Sequence, residues 1–461
     1  MSQEDRTKFP EFEEIISEMT YVYRHDDRPW IIGYSGGKDS SLLVSLTIET
    51  VLRIPEYARR KKIFIVSSDT GIENPIVKRY MHASSAKINE FSQKAKANII
   101  ADIVYPEVEH SFWTLVIGLG YPTPEPPGFR CCTERLKIFP MNKYTNNIID
   151  RYGEAILLLG VRKAESASRS RTITSREIEG KLLVPHSDIL NAYVNNPFTE
   201  IKNERVWEYL LKNDGISSWG IDMKYLFSLY QGEAMGEEQS VVGQIDKDKI
   251  PVTGNSRFGC WCCTIVKEDK SLQNFIDHGS DELIPLRDFR NWLVGIRQDP
   301  QFRDNKRRNG KVYQKANGEY GFGPFKMSAR QEILRRLLRL QRDSGFELIS
   351  INELKKIDTL WDQEGDLTRR SLVEIYYEIF GKRLPWDEYK EPLYDAEVIE
   401  SLQKAAEDAD IPFELITKLI VAIDENKYVA KSSKMQKEFD RLLNQDWLHY
   451  ETIKAKLQDE N

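Results

Sequence analysis

The residues with the most evident chemistry lie in one decapeptide, Ile31-Ile32-Gly33-Tyr34-Ser35-Gly36-Gly37-Lys38-Asp39-Ser40, where a short apolar run meets a glycine turn. Two glycines without Cβ let backbone N–H groups close on phosphate oxygens, and a helix opening behind them adds unpaired donors and positive dipole. Lys38 and the hydroxyls add further donors, so Ser35, Gly36, Gly37, Lys38 and Ser40 are expected to hold a triphosphate. Asp39 has the wrong sign for direct phosphate contact and suits a Mg2+ ion or a helix cap. The turn is not the GxxxxGK[ST] nucleotide loop, because Ile32 stands five positions before Gly37, where that pattern needs glycine.

Cysteine is the second chemical signal. The five are Cys131 and Cys132, then Cys260, Cys262 and Cys263, with none later in the sequence. An odd number in 461 residues is no disulfide scaffold, and the clustering points to a shared site. Four thiolates, Cys131, Cys132, Cys260 and Cys263, suit zinc or an iron-sulfur cluster. The adjacent pair favours a cluster, whose separate irons neighbouring thiolates can reach without strain. Cys262 is then the thiol left over to carry a persulfide, an expectation that rests on counting.

Elements must hold these groups. Strand-like runs at Trp30 to Tyr34, Ile63 to Ser68, Ile99 to Tyr105 and Ala155 to Gly160 alternate with helix-compatible stretches such as Ser40 to Val51 and Pro75 to Ala95. The alternation predicts an α/β domain with a doubly wound, mostly parallel sheet. Such sheets bind ligands beyond the carboxyl ends of their strands. That places Asp69, in Asp69-Thr70-Gly71-Ile72-Glu73, at the nucleotide, together with Gly160, Arg162, Lys163, Arg169 and Arg171 after the fourth strand, with Arg162 and Arg169 steadying phosphate. Lys38, Asp39, Arg162 and Cys262 are the expected catalytic residues. A Pro/Gly-rich loop, Gly118 to Gly128, leads into the first cysteine pair as a lid or site wall. The expected division is residues 1–270 for the nucleotide domain, 271–345 for a basic segment with a mobile loop at Asn305 to Gly323, and 346–461 for an all-helical C-terminal domain.

Ser35-Gly36-Gly37-Lys38-Asp39-Ser40 behind a strand resembles the loop of the ATP pyrophosphatase (PP-loop) superfamily, with an adenine nucleotide alpha hydrolase-like fold. The resemblance implies cleavage of ATP between the α and β phosphates, with AMP passed to an oxyanion. The Cys-Cys pair followed by Cys-x-x-Cys is similar to the adenylyl-sulfate reductase group, as are Lys137 to Asn142 and Pro197 to Leu210, which implies a 4Fe-4S cluster on Cys131, Cys132, Cys260 and Cys263. Against an actual reductase stand the lack of a later cysteine to attack sulfate, a longer intervening segment and the helical region that follows. Arg130 to Ile138, Gly160 to Arg162 and Gly254 to Trp261 resemble instead the DndC-type DNA phosphorothioation sulfurtransferases, over nearly the whole chain. That likeness implies ATP-dependent replacement of a non-bridging oxygen of a DNA phosphate by sulfur. Its implied partners are DNA, a cysteine desulfurase as sulfur donor, and other phosphorothioation proteins of the DndD and DndE type. The rival readings are an adenylyl-sulfate or PAPS reductase, a tRNA thiolase, and a redox-sensing DNA-binding module without enzymatic activity.

Charge is unevenly spread. The net charge is -6, yet residues 287–342 hold fifteen Lys or Arg against five Asp or Glu. A basic block interleaved with Phe289, Trp292, Phe302, Tyr313 and Phe325 suits a polyanion, with Lys306-Arg307-Arg308 the expected exposed cluster. A hydrophobic fraction of 40% and a charged fraction of 30% describe a globular chain and exclude wholesale disorder. No apolar run approaches the roughly 20 residues of a membrane span, and no secretory signal is visible, so a cytoplasmic address without membrane contact is expected.

Overall fold

The structure, a computed structural model, describes residues 8–125, 132–165, 171, 174, 181–231, 260–315, 318–427 and 432–447. By Cα proximity the chain divides into two compact units: residues 1–106, 131–261 and 266–284 form the first, and residues 107–130, 262–265 and 285–461 the second. The stretches expected as a basic segment and a helical domain thus both fall, from Pro285 on, in the second unit, together with 107–130.

The first unit is built on a six-stranded sheet of β1 (Trp30–Gly33), β2 (Ile63–Ser68), β3 (Ile99–Val104), β4 (Ala155–Leu158), β5 (Val184–Pro185) and β6 (Ala192–Asn195), in the order β3-β2-β1-β4-β6-β5. Every pairing is parallel except β5 with β6. Strands buried on both faces read as unbroken apolar runs. Trp30 and Ile32 of β1 pack into one core with Ile63, Ile65, Ile156 and Leu158, while Ile31 turns to the other with Phe64, Val66 and Ala155. The first core is closed by α1 (Pro10–His25), α2 (Lys38–Leu52), α3 (Pro75–Ala95), α5 (Asn203–Leu210) and α6 (Met223–Gln231). The second is closed by α4 (Phe139–Tyr152), through Ile148 and Ile149. The helix α7 (Lys270–Asp277) also belongs to this unit, capped by Asp269, whose carboxylate accepts from the Leu272 N–H at 2.9 Å. Four strands were legible from their runs; β5 and β6 are short and half-polar and carry no such signal.

The second unit is helical, with α8 (Ile284–Ile296), α9 (Met327–Ser344), α10 (Ile351–Glu364), α11 (Ser371–Phe380), α12 (Ala396–Asp408), α13 (Phe413–Asn426) and α14 (Ser432–Leu443). On α9, Ile333, Leu334, Leu337 and Leu338 recur at helical spacing and are fully buried. A reciprocal cap between Ser350 and Glu353 starts α10. Residues Thr114–Gly118 form a π-helical turn packed on α9 and α10, and the indoles of Trp113 and Trp361 donate to Leu348 O (2.8 Å) and Ile117 O (2.9 Å). Around the segment Asn305 to Gly323, expected as a mobile loop, isolated antiparallel bridges join Arg303 to Phe325 and Gln314 to Tyr320. Among the described residues no helix is long and apolar enough to cross a membrane.

Candidate active site

At β1 the sheet order reverses, since β2 leads away on one side and β4 on the other. A crevice opens at such a switch point because the two flanking connections run to opposite faces. The glycine turn fills it. Gly36 takes φ +72, a left-handed conformation that favours glycine, and Gly37 is the N-cap of α2 and offers no capping side chain of its own. The first N–H groups there make only long contacts, Lys38 N–H to the Tyr230 hydroxyl at 3.4 Å and Gly37 N–H to Ser35 Oγ at 3.4 Å. The turn is tied internally: Ser40 Oγ donates to Gly37 O at 2.9 Å, and the Ser35 N–H points at Ser40 Oγ at 3.3 Å. A Cβ on Gly37 would stand 3.1 Å from the Tyr230 hydroxyl, so glycine is required for packing as well as for phosphate access.

Lys38 is buried, its ammonium 5.1 Å from the ring centroid of Tyr230 and 3.4 Å from Asp39 Oδ2. Arg162 is 1% exposed and comes from the segment after β4; its Nε donates to Asp39 Oδ1 at 2.6 Å, and its Nη1 to Ile201 O at 3.2 Å. The expected phosphate contact of Arg162 is therefore set beside a structural duty, holding Asp39 between two cations. One carboxylate so placed makes no Mg2+ cage by itself. Gly160 lets β4 come this close: a Cβ there would sit 3.0 Å from Asp39 O.

Beyond the ends of β1 and β2 lies a cavity of about 310 Å³ that reaches Ser35. Val66, Val77, Met81 and Met141 give it an apolar floor, and Ser68, Glu73, Lys78 and Lys137 a polar rim. Asp69, fully buried, is not among its lining residues; it receives the Gly71 N–H (2.9 Å), His82 Nε2 (2.9 Å) and the Lys78 ammonium (3.4 Å). It thus positions Lys78 at the cavity.

Lys137 lies on a π-helical turn, Thr133–Ile138, directly after Cys132, and the Leu136 carbonyl of that turn accepts from Ser68 Oγ at 3.2 Å. Its ammonium is 3.1 Å from Glu73, whose other neighbour, Thr70, donates to it at 3.0 Å. Burial works against the Lys137 charge, but Glu73 and the thiols of Cys260 and Cys132 outweigh it and raise the pKa. Cys260 pairs with Glu73 as an isolated β-bridge and lies 3.9 Å, sulfur to oxygen, from Thr70 Oγ1. The fold therefore gathers Cys132 and Cys260, 128 residues apart in sequence, around one ammonium at the cavity rim.

The other cysteines differ. Cys131, like Arg169, lies outside the described residues. Cys262 and Cys263 belong to the second unit, Cys262 fully buried and Cys263 half-buried with its carbonyl accepting from Arg290 at 2.9 Å. Among the described residues no three His, Cys, Asp or Glu side chains stand close enough to hold a metal ion, so no step is routed through iron. Sequence reading missed Lys137, Lys78, His82 and Tyr230. For Lys137 a signal existed in Lys137 to Asn142; Tyr230 sits 192 residues from Lys38 and gave none.

Residues 29–217, less than half of the chain, match the family model described as phosphoadenosine phosphosulfate reductase domain, and this part is similar to that domain. An uncharacterized protein of Methanocaldococcus jannaschii is 26% identical over 192 residues, 41% of this chain, and the chain spans only 33% of that relative's length. Among solved structures, the PAPS reductase of Candida auris is similar over 47% of this chain and 90% of its own (10% identity, TM-score 0.28). The U34-tRNA thiolase NcsA of Methanococcus maripaludis, with its [4Fe-4S] cluster, is similar over 52% and 88% (14% identity, TM-score 0.27).

Proposed function

We propose that the chain is an ATP-dependent sulfurtransferase whose first unit activates a phosphate of DNA for phosphorothioate formation. The carrying observation is the glycine turn at the switch point, with a helix start behind it whose first N–H groups make only long side-chain contacts, and the 310 Å³ cavity reaching Ser35. The apolar floor suits a purine ring, and the turn with Lys38 suits the phosphates. A DNA phosphate oxygen forms a bond to the α-phosphorus as the α–β bridge breaks and pyrophosphate leaves. The outer sulfur of a cysteine persulfide then attacks the DNA phosphorus, and the bond to AMP breaks with its electron pair going to AMP. A second thiol, such as free cysteine, attacks the carrier sulfur, so that the S–S bond breaks, the phosphorothioate leaves with that electron pair and the two thiols end as a disulfide. In this reading Ser35, Gly36, Gly37, Lys38 and Ser40 hold the triphosphate, Arg162 fixes Asp39, and Lys137 offers a cation to anionic sulfur or phosphate at the rim. The family resemblance implies Cys131, Cys132, Cys260 and Cys263 as the ligands of a 4Fe-4S cluster, which iron content and absorption of the anaerobic protein test. Cys262 as persulfide carrier is tested by Cys262→Ser with sulfur incorporation as readout.

Protein purified anaerobically is incubated with ATP, duplex DNA, cysteine and a desulfurase, with the other phosphorothioation proteins added in a second arm. Pyrophosphate and the sulfur of digested nucleotides are followed. DNA-dependent pyrophosphate release with sulfur in the backbone is the expected result. The match over residues 29–217 gives one rival equal standing: with adenylylated sulfate as substrate and a thiol reductant oxidised to disulfide, release of sulfite and AMP would assign a reductase. Sulfur found in tRNA would assign a thiolase, and absence of pyrophosphate release with every acceptor would sink the enzymatic reading.

A further inference from the structure

The basic block of residues 287–342 does not all face solvent as its composition suggests. Arg290, Arg303 and Arg330 are buried and bonded to backbone carbonyls, those of Cys263 (2.9 Å), Gly323 (2.8 Å) and Phe325 (2.9 Å). Burial lowers the Arg303 pKa to about 10. Other cations of the block converge within the second unit on a cavity of about 460 Å³.

That cavity is lined by seven Lys or Arg and five Asp or Glu side chains, an excess of positive charge in a partly enclosed space. The excess arises from sharing. Glu364 serves both Arg330 and Arg308, the latter at 2.7 Å, and Glu414 serves both Lys418 at 2.5 Å and Lys306 at 3.7 Å. Burial raises the pKa of both carboxylates, but their cations outweigh it and leave each lowered, so both stay charged. Arg307 and Lys326, both exposed, are among its lining residues, and among the described residues neither has a carboxylate within ion-pair distance; the Lys326 ammonium donates to Pro300 O at 3.1 Å. The Arg307 guanidinium lies 3.7 Å from the centroid of the Tyr313 ring, which holds it in one orientation.

We propose that this cavity is a phosphate-binding site, with Arg307 and Lys326 as its ligand-facing cations and a DNA phosphodiester or the phosphates of a free nucleotide as its ligand. The site belongs to the second unit and owes nothing to the glycine turn of the first. Its test reads binding rather than turnover, so it and the sulfur-transfer reading fail separately.

The full chain and the Arg307→Glu/Lys326→Glu variant are compared by fluorescence anisotropy with a short labelled duplex across a salt series, and by calorimetry with inorganic pyrophosphate. Each lost phosphate contact lowers the log–log salt slope by about 0.9, so about 1.8 is expected for the pair, with at least a tenfold weaker Kd near 0.1 M salt. That result assigns the DNA backbone as ligand. Loss of one class of pyrophosphate sites with duplex binding unchanged assigns a free nucleotide. Unchanged behaviour toward both probes overturns the proposal. Circular dichroism confirms folding, and Arg307→Gln/Lys326→Gln serves if the reversal unfolds the unit.

Discussion

Replacing Arg162 by Met removes the guanidinium that ties the end of β4 to the start of α2. The residue is 1% exposed, its partner Asp39 carries 15% side-chain exposure, and the bond lost is 2.6 Å long. Breaking a buried ion pair from one side costs about 3–5 kcal/mol. Asp39 keeps Lys38 at 3.4 Å and some water, which places Arg162→Met at the lower end, about 3 kcal/mol or roughly a 150-fold change in a local opening equilibrium. Asp39→Asn should cost more, toward about 5 kcal/mol, because a guanidinium cannot shed its charge and would be left buried without a carboxylate. The double variant Arg162→Met/Asp39→Leu removes both charges and should regain all but about 1–2 kcal/mol of stability while binding ATP no better than either single variant. Hydrogen exchange at the first turn of α2 reads the opening directly, and calorimetry with a non-hydrolysable ATP analogue reads the turn. Unchanged exchange and affinity in Arg162→Met would refute the claim that this pair positions the glycine turn.

Three more outcomes follow from the geometry. Gly160→Ala puts a Cβ 3.0 Å from Asp39 O and should destabilise the first unit by about 1–3 kcal/mol in urea melts, with weaker nucleotide binding; a neutral variant would show that β4 and the turn can separate freely. Lys137→Ala removes a charge-assisted bond worth about 1.5–3 kcal/mol beside the cavity and strands the buried Glu73, so ATP binding should weaken by roughly tenfold or more, with partial rescue by Lys137→Arg; equal loss in Ala and Arg variants would contradict a role of charge. Burial raises Asp362 to a pKa of about 6 despite Lys390 at 3.0 Å. A carboxyl raised in the folded state binds more protons there than unfolded, so it makes stability fall as pH rises from about 4 to 6 and stay level above. Asp362→Asn should flatten that interval in pH-dependent melts of the full chain, and an unaltered profile would assign the slope elsewhere.

Much of the nucleotide unit is legible residue by residue. The runs of β1 to β4 are apolar because both faces are covered, and Gly36-Gly37 marks a turn whose positive φ at Gly36 favours glycine and whose second glycine packs closely on the Tyr230 hydroxyl. The cations of 287–342 are equally visible, but composition cannot tell a guanidinium that feeds backbone carbonyls from one that faces solvent. Arg290 and Arg307 have the same side chain and opposite fates.

What the sequence by itself determined is therefore local: a strand, a turn with donors aimed along a helix start, and the spacing of thiols, all set by the periodicity and sterics of neighbouring residues. Only the tertiary structure decided which distant groups share a site. Asp39 and Arg162 meet because β1 and β4 are adjacent strands, and Cys132 and Cys260 come near Lys137 because one directly precedes the Thr133–Ile138 turn while the other pairs with Glu73. Those meetings depend on strand order and chain crossing, which no local pattern of residue types encodes.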